Sequence, residues 1–198
     1  MPRKPLIRTA DHPYHIYNRS NNKEFFYLPM EMLWPIFNRY LGVAAIRFNL
    51  QIHCFCLMNN HFHILLTTPD SNLDQAMHFF GSQLSKAIAH RAGRINKIFG
   101  GRYKWSLIKN HQHYFAVYRY IYQNPLRANL CEKVECYSYS SLMPGLLGGH
   151  AGTHENDLFQ DFDYREKLDW LNQFVSKEKS LEIKKGLLKQ EFNPVIER

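Results

Sequence analysis

Two apolar segments separated by three turn residues constrain the fold of this chain most strongly. Residues 45–57 and 61–68 are rich in strand-forming side chains. Residues 58–60, with the sequence Met-Asn-Asn, supply side chains that turns prefer. The pattern therefore predicts a β-hairpin made of two antiparallel strands.

Five further segments have the periodicity of a strand or a helix. In chain order they are a strand at 14–19, a helix at 30–41, a helix at 73–91 capped by Asn72, a strand at 103–108 and a helix at 111–124 that ends near Pro125. The order β-α-β-β-α-β-α predicts an α+β fold of the ferredoxin-like type. This is a split βαβ arrangement with a central antiparallel sheet and helices on its faces.

The chain changes character after residue 142. Residues 144–152 contain four glycines and predict a loop, and residues 161–188 predict two helices, the second rich in Lys and Glu. We therefore divide the chain into a main domain, residues 1–142, and a second part, residues 143–198, that consists of a Gly-rich loop and a C-terminal helical extension.

The basic residues are distributed unevenly. The net charge is +8, but residues 1–130 hold 16 Lys and Arg against 5 Asp and Glu, whereas residues 131–198 hold 9 against 12. No acidic residue lies from Gln75 to Cys131. An acid-free basic stretch in a folded region indicates a polyanionic partner, with nucleic acid first among them. The alternative is a basic surface that binds nothing.

The sequence shows no feature that points to a membrane or to export. No apolar run approaches the roughly 20 residues of a membrane span, and the basic N-terminus has no apolar segment behind it. We therefore expect a cytoplasmic protein with reduced cysteines. Cys54 and Cys56 should be small buried hydrophobes on one strand face, and Cys131 with Cys136 lacks a second pair at the spacing of a zinc site.

The sequence His61-Phe62-His63 begins the second strand of the hairpin. On a strand, residues i and i+2 point to the same face, about 6.5–7 Å apart, so two imidazoles can converge on one metal. Phe62 would then anchor the strand in the core on the other face. The alternative is two half-exposed histidines with no ligand.

Tyr120 and Asn124 lie four residues apart on the last helix of the main domain, so they share one helix face. A helix that passes the histidine pair could bring a phenol and an amide to the same metal. The alternative is an aromatic core position, because three other tyrosines share this helix. Helical phase favours Tyr114, Tyr118 and Ile121 as the core stripe and leaves Tyr120 on a flank.

Several blocks of sequence, in a fixed order over residues 12–142, together resemble the IS200-like single-tyrosine transposases of the His-hydrophobic-His type. The best match is the branch associated with repetitive extragenic palindromes (REP). The blocks are residues 14–19, 56–66, 101–104, 119–128 and 137–141. The chain departs from that branch at Asn59, at the pair Tyr122-Gln123, at Tyr139 and at Leu142.

The resemblance implies that residues 1–142 form an IS200-like transposase catalytic domain. Such a domain cuts single-stranded DNA near hairpins through a 5′-phosphotyrosine intermediate and rejoins strands without external energy. By position, Tyr120 is the nucleophile, His61 and His63 bind a divalent metal, Mg²⁺ or Mn²⁺, and Asn124 assists at that metal. A free phenol is about one part in a thousand ionised at pH 7, a handicap of about 4 kcal/mol that a metal can offset.

The resemblance and the basic charge also indicate residues for DNA contacts. Phosphate contacts are expected from the basic members of the set and base stacking from the aromatic members. The set is Arg102, Tyr103, Lys104, Trp105, Arg119 and Arg127. His15 and His53, on neighbouring strands, are expected to support the metal ligands or the structure rather than to bind the metal.

Two alternatives and one open question remain at this point. The chain could be a non-catalytic, domesticated hairpin-DNA-binding protein on the same fold. It could also be a zinc hydrolase with two histidine ligands, which would need a third protein ligand. The related transposases exist as monomers with the tyrosine in cis and as swapped homodimers with the tyrosine in trans, so the oligomeric state stays open.

Overall fold

The computed structural model describes residues 5–142 and 163–194. Four strands form one antiparallel sheet in the spatial order β2-β3-β1-β4. The strands are β1 Tyr14–Arg19, β2 Gln51–Leu57, β3 His61–Thr67 and β4 Lys104–Leu107. Because β3 pairs between β2 and β1, the first βαβ unit is split, which confirms the predicted ferredoxin-like α+β class.

Six α-helices surround this sheet in the described part of the chain. They are α1 Met30–Arg47, α2 Leu73–Arg91, α3 His111–Tyr122, α4 Asn124–Arg127, α5 Tyr164–Asn172 and α6 Lys177–Gly186. None of the described helices has the length and apolar character that a membrane span requires.

The two faces of the sheet are covered by different helices. On one face, Phe55 and Phe62 pack with Phe37 of α1 and Phe80 of α2, and we call this the first core. On the other face, the second core joins Cys54, Cys56 and Leu65 to Tyr114, Val117, Tyr118 and Ile121 of α3. Burying each large apolar side chain contributes about 1.5–3 kcal/mol, so both faces hold the sheet in place.

Helix α1 extends further than the sequence predicts. The expected strand from Ala45 was wrong, because Ala44 and Ala45 are buried at helical spacing after Leu41 and continue the core stripe of α1. The helix ends in a Schellman arrangement, in which Asn49 has a φ of 51° and the Leu50 N–H donates to the Ala45 carbonyl at 2.9 Å.

A β-bulge shapes β2 opposite the second core. The pairing with β3 shifts between Ile52 and Cys54, so His53 and Cys54 both face the side covered by α3. His53 shares a hydrogen bond with Thr67 Oγ1 at 2.8 Å and contacts Tyr114, which is a structural role. Cys54 and Cys56 are buried free thiols, as the sequence predicts.

The end of the third predicted helix differs from expectation. Helix α3 ends at Tyr122 rather than Asn124, and a short further helix, α4, follows directly around Pro125. Asn72 does precede α2, but its Nδ2 donates to the Phe48 carbonyl and no side-chain capping bond forms. The last strand of the sheet is shorter than predicted by one residue at each end.

The C-terminal helices, which the sequence predicts as two, pack on α3. Their apolar residues Leu171, Ile183, Leu187 and Phe192 are members of the second core. The predicted loop at residues 144–152 lies outside the described residues. Further along, the chain closes the edge of the sheet, where the Leu107 N–H donates to the Gln190 carbonyl and the Phe192 N–H donates to the Leu107 carbonyl.

The opposite edge of the sheet is also covered by the chain itself. The Leu57 N–H donates to the Tyr139 carbonyl at 2.9 Å, and the Ser141 N–H donates to the Phe55 carbonyl at 2.8 Å. The Phe55 N–H donates to Ser141 Oγ, which also contacts the Tyr122 hydroxyl at 2.6 Å. Residues 139–141 therefore tie β2 to the last turn of α3.

Candidate active site

Strand β3 places His61 and His63 on the same face of the sheet, beneath α3. Their ring centroids are 5.1 Å apart and the ring planes are nearly perpendicular, at 87°. Phe62 points to the first core and is 1% exposed. The alternation predicted from the sequence is therefore present, and both imidazoles are on the side where α3 packs.

His63 is buried, and its two nitrogens have different surroundings. Nδ1 lies 2.8 Å from Nε2 of His15 on β1, so one of the two carries the shared proton. Nε2 of His63 is buried without a hydrogen-bond partner. If Nδ1–H donates to His15, the lone pair of His63 Nε2 is free for a ligand. A buried, unpartnered imidazole nitrogen fits a metal site.

His61 is oriented in a similar way. Its Nδ1 donates to the Asn60 amide oxygen at 2.6 Å, which leaves Nε2 with its lone pair. Burial, with Arg19 and Lys184 nearby, lowers the pKa of His61 to about 4. Burial also lowers the pKa of His63 well below its usual value. Both rings are therefore neutral at pH 7, the form that binds metals.

Tyr120 of α3 lies against His63 within the same chain. The two ring centroids are 5.8 Å apart and the planes are perpendicular, at 89°. Tyr114, Tyr118 and Ile121 are buried, as helical phase predicts, but Tyr120 is also only 7% exposed. Tyr120 is therefore more buried than helical phase predicts. Its ring packs in the second core and also contacts His63 of the histidine pair.

Helix α4 brings Arg127 over Tyr120. The guanidinium carbon is 4.3 Å from the centre of the phenol ring, and Arg127 Nη2 donates to the Tyr120 carbonyl at 2.6 Å. Burial raises the pKa of Tyr120, whereas the charges of Arg127 and Arg19 act to lower it. The arginine therefore favours the phenolate, which is the nucleophilic form of the side chain.

The Asn124 side chain is fixed beside Tyr120. Its Nδ2 donates to the carbonyl of Tyr120 at 3.0 Å and to that of Ile121 at 3.4 Å. The amide oxygen is therefore the atom that could bind a cation. Among residues 5–142 and 163–194, no group of three His, Cys, Asp or Glu side chains could hold a metal ion. The zinc-hydrolase alternative thus lacks its third ligand in the described chain.

The predicted DNA-contact residues lie in three places. Arg127 adjoins Tyr120, and Lys104 pairs with Tyr17 on β1, on the face of the histidines. Tyr103 and Trp105 are half-buried against the first core, on the opposite face, and Arg102 is exposed beside Tyr103. Arg119 lies over Trp170 of α5, its guanidinium carbon 4.0 Å from that ring.

Three further residues surround the histidine pair without having been predicted. The Tyr17 ring is 5.0 Å from that of His63 and 5.6 Å from that of His61, with Arg19 stacked on Tyr17 at 5.5 Å. Tyr17 and Arg19 follow His15 at intervals of two residues on β1, so all three lie on the same face of the sheet. Strand periodicity could therefore have indicated Tyr17 and Arg19. Lys184 of α6 acts electrostatically on His61, but it lies in a segment with no motif, so no sequence signal could have indicated it.

The fold is that of a solved transposase. This chain matches the structure of a REP-associated tyrosine transposase bound to a REP hairpin with a TM-score of 0.61 and 17% identity, over 71% of this chain and 82% of that chain. A protein of Deinococcus radiodurans R1 named as a transposase matches with a TM-score of 0.41 and 13% identity, over 66% and 96%, which is too weak to argue from. Neither the models of known protein families nor the curated proteins contain a match. The resemblance seen in the motifs is thus accompanied by a shared fold.

Proposed function

We propose that this chain is a metal-dependent endonuclease and strand transferase of the REP-associated tyrosine transposase type. It cuts and rejoins single-stranded DNA near a hairpin, with Tyr120 as the nucleophile. His61, His63 and Asn124 would hold Mg²⁺ or Mn²⁺. The proposal also places the protein in the bacterial cytoplasm, where palindromic DNA can fold into such hairpins.

One observation carries the proposal. Within one chain, the phenol of Tyr120 packs against His63, whose buried Nε2 has no partner, next to the neutral ring of His61. A purely structural histidine this deeply buried would be expected to have both nitrogens hydrogen-bonded. The unpartnered nitrogen beside a potential nucleophile therefore favours a site that is completed by a ligand.

The chemistry needs the phenol oxygen to displace a 3′-oxygen from phosphorus. A bond forms between Tyr120 Oη and phosphorus, and the bond from phosphorus to the 3′-oxygen breaks. In the net reaction, the phenolic proton is transferred to that 3′-oxygen. When bound, a divalent metal supplies the positive charge that polarises the phosphate. Arg127 stabilises the phenolate, and the covalent intermediate keeps the energy of the phosphodiester for rejoining.

The charges around the site suit a phosphate. Arg19, Arg127 and Lys184 lie close enough to His61, His63 or Tyr120 to shift their pKa values. These cations oppose the binding of a bare metal ion, whereas they attract a phosphodiester. We therefore expect the metal to bind more tightly when DNA is present than when it is absent.

The test is a covalent adduct. Labelled single strands that carry a hairpin are incubated with the protein and Mn²⁺, and a denaturing gel is examined for a protein-linked band. The band should form with the native chain and disappear in Tyr120→Phe, while that variant still binds the DNA. A wild-type protein that binds the hairpins but never forms the adduct in Mn²⁺ would refute the catalytic role.

The deep burial of Tyr120 favours the second candidate function, a non-catalytic hairpin-binding protein. The side chain is 7% exposed, and burial raises its pKa, which opposes formation of the phenolate in the free chain. This candidate predicts binding that weakens steeply with salt and no effect of His61→Ala on affinity. The adduct assay separates the two, because only the enzyme forms the protein-linked band.

A further inference from the structure

A groove runs from Tyr120 to the C-terminal helices, and none of the proposed metal ligands is among its described lining residues. It has a volume of about 660 Å³ and lies between α3, α5 and α6. We call it the C-terminal groove. Its walls include Arg119 and Arg127 on one side and Trp170, Phe174 and Lys179 on the other. The segment that supplies the second wall carries no motif of the transposase blocks.

We propose that the C-terminal groove binds the single-stranded nucleotides that flank the phosphate attacked by Tyr120. This inference rests on the proposed function, because it takes Tyr120 to be the point where the DNA strand passes. It adds a binding site whose second wall comes from residues 170–183, a segment to which the sequence analysis assigned no role.

The charge of the groove is one reason for choosing DNA as the occupant. Three cations, Arg119, Arg127 and Lys179, are among its lining residues, and none of the described lining residues is acidic. A groove with positive charge on both sides complements a phosphodiester backbone. A neutral apolar peptide would leave these cations without counter-charges.

The aromatic residues of the groove are the second reason. The Phe174 side chain is 89% exposed, which is unfavourable for a phenyl ring unless a partner covers it. Arg119 is fixed over Trp170 at 4.0 Å, and Phe115 packs edge-on against the same indole at 5.8 Å. Aromatic rings that alternate with cations form the stacking surfaces on which unpaired bases bind.

The continuity of the groove with the active site is the third reason. Tyr120 lines the groove and also contacts His63, so a strand whose phosphate lies at Tyr120 has a direct path into it. Gln123, on the same wall, donates from Nε2 to the carbonyls of Leu171 and Gln173 at 2.7 and 2.8 Å. The two walls are therefore held together in the chain as it stands.

The experiment measures binding alone, in a Tyr120→Phe background that cannot form the adduct. Hairpins without flanks and with single-stranded flanks of increasing length are titrated by fluorescence anisotropy. Adding Phe174→Ala should lower the affinity for flanked hairpins about 5- to 150-fold, the loss of one base–aromatic stack, and leave the affinity for the bare hairpin unchanged. Adding Lys179→Ala should reduce the salt dependence by about one phosphate contact.

Matched controls exist on the same helices. Tyr164 of α5 is 56% exposed and Lys177 of α6 is also exposed, and neither lines the groove. Tyr164→Ala and Lys177→Ala should bind every flank as the Tyr120→Phe parent does. If Phe174→Ala and Lys179→Ala also bind every flank like the parent, the groove proposal is overturned.

The result of the flank-binding experiment does not depend on whether the covalent adduct forms. A native chain that forms the adduct, with Phe174→Ala binding all flanks normally, would refute the groove and retain the enzyme. A flank-dependent loss in Phe174→Ala, without an adduct in the native chain, would retain the groove as a DNA site and refute the enzyme.

Discussion

At the scale of single residues, the surroundings of His63 explain how a pair of strand histidines becomes a specific site. Its Nδ1 is held by His15 and its Nε2 is left unpartnered and buried. A metal ligand needs the lone pair on Nε2, and this requires the proton on Nδ1. Under the proposed function, His15 would therefore be a positioning residue, because it would act only through His63.

Replacing His15 should weaken metal binding even though His15 does not touch the metal. We expect His15→Leu, which fills the space but accepts no hydrogen bond, to lower the Mn²⁺ affinity about 10- to 100-fold. His15→Gln, whose amide oxygen can accept from Nδ1–H of His63, should retain part of that affinity. Mn²⁺ electron paramagnetic resonance with the DNA-bound protein measures both.

Thermal unfolding of the same two variants provides the control. A merely structural role for His15 would make both variants equally unstable and equally weak in Mn²⁺ binding. The proposed role predicts a difference in Mn²⁺ affinity between Gln and Leu that does not follow their stabilities.

The sequence could predict the histidine pair more fully than the surroundings of Tyr120. Strand alternation is a local property, so His61 and His63 share a face whatever packs above them. The burial of Tyr120 depends on Arg127, which α4 folds back onto its ring. Arg127 lies beyond the end of α3 at Tyr122, where the helical periodicity of the sequence stops, so phase along α3 alone could not indicate this contact.

At the scale of the elements, the sequence predicts the bounds of a helix well where one face of that helix is polar. The prediction fails where apolar residues also occupy the solvent face. The bounds of α2 and β1 agree with the sequence, whereas α1 continues into a segment that was expected to be a strand. Val43 and Ile46 are strand-forming residues, yet they are exposed at 42% and 63%, on the outside of α1. Apolar residues on a solvent face obscure the period of a helix.

Gln123, the residue directly after α3, links that helix to α5 because its side chain donates to two carbonyls. Gln123→Leu keeps the volume but leaves the buried Leu171 carbonyl without this donor, which costs about 1–3 kcal/mol. We expect α5 and α6 to become accessible to hydrogen exchange and protease before the sheet does. Mass-spectrometric exchange of the backbone amides measures this.

Gln173→Ala serves as the comparison for that variant. It retains the backbone carbonyl that Gln123 binds and removes an exposed side chain that accepts one long hydrogen bond, from Arg119 Nη2 at 3.5 Å. It should therefore leave exchange in α5 unchanged. Exchange that rises equally in both variants, or in neither, would show that Gln123 does not anchor the C-terminal helices.

Strands β1 and β3 together hold three neutral histidines, and this makes stability depend on pH. Burial lowers the pKa of His15 to about 3 and of His61 to about 4, and the pKa of His63 falls as well, with Arg19 and Arg127 adding to the shift. In the unfolded chain each pKa is near 6.5. The unfolded state therefore binds more protons below pH 6.5, so stability is complete above that pH and is lost as the pH falls.

We expect the free energy of unfolding of the metal-free protein to decrease by about 2 kcal/mol for each such histidine between pH 7 and pH 5. Urea unfolding at both values measures the change. His15→Gln should remove the share of one histidine. A free energy of unfolding that is the same at both values would contradict the neutral state assigned to the three rings.

At the scale of the whole molecule, the contact between Tyr120 and His63 joins α3 and β3 of the same chain. Under the proposed function, this contact predicts that the tyrosine acts in cis. The sequence left the cis and trans arrangements open, because both use the same motifs. Only the path of the chain between the histidines and the tyrosine could distinguish them.

Mixing two inactive variants tests the arrangement. Tyr120→Phe keeps the histidines and His63→Ala keeps the tyrosine. With the tyrosine in cis, the mixture forms no more adduct than either variant alone. Restoration of the protein-linked band on mixing would indicate that the tyrosine is shared between copies.

Both edges of the sheet are covered by the chain itself, and this affects the tendency of the protein to aggregate. The backbone of β2 is occupied by residues 139–141 and that of Leu107 by residues 190–192. A sheet with free rims can recruit strands from other molecules and grow into fibrils. Here the peptide groups at those positions are already hydrogen-bonded within the chain, so a high local concentration of the protein should not lead to polymerisation by strand addition.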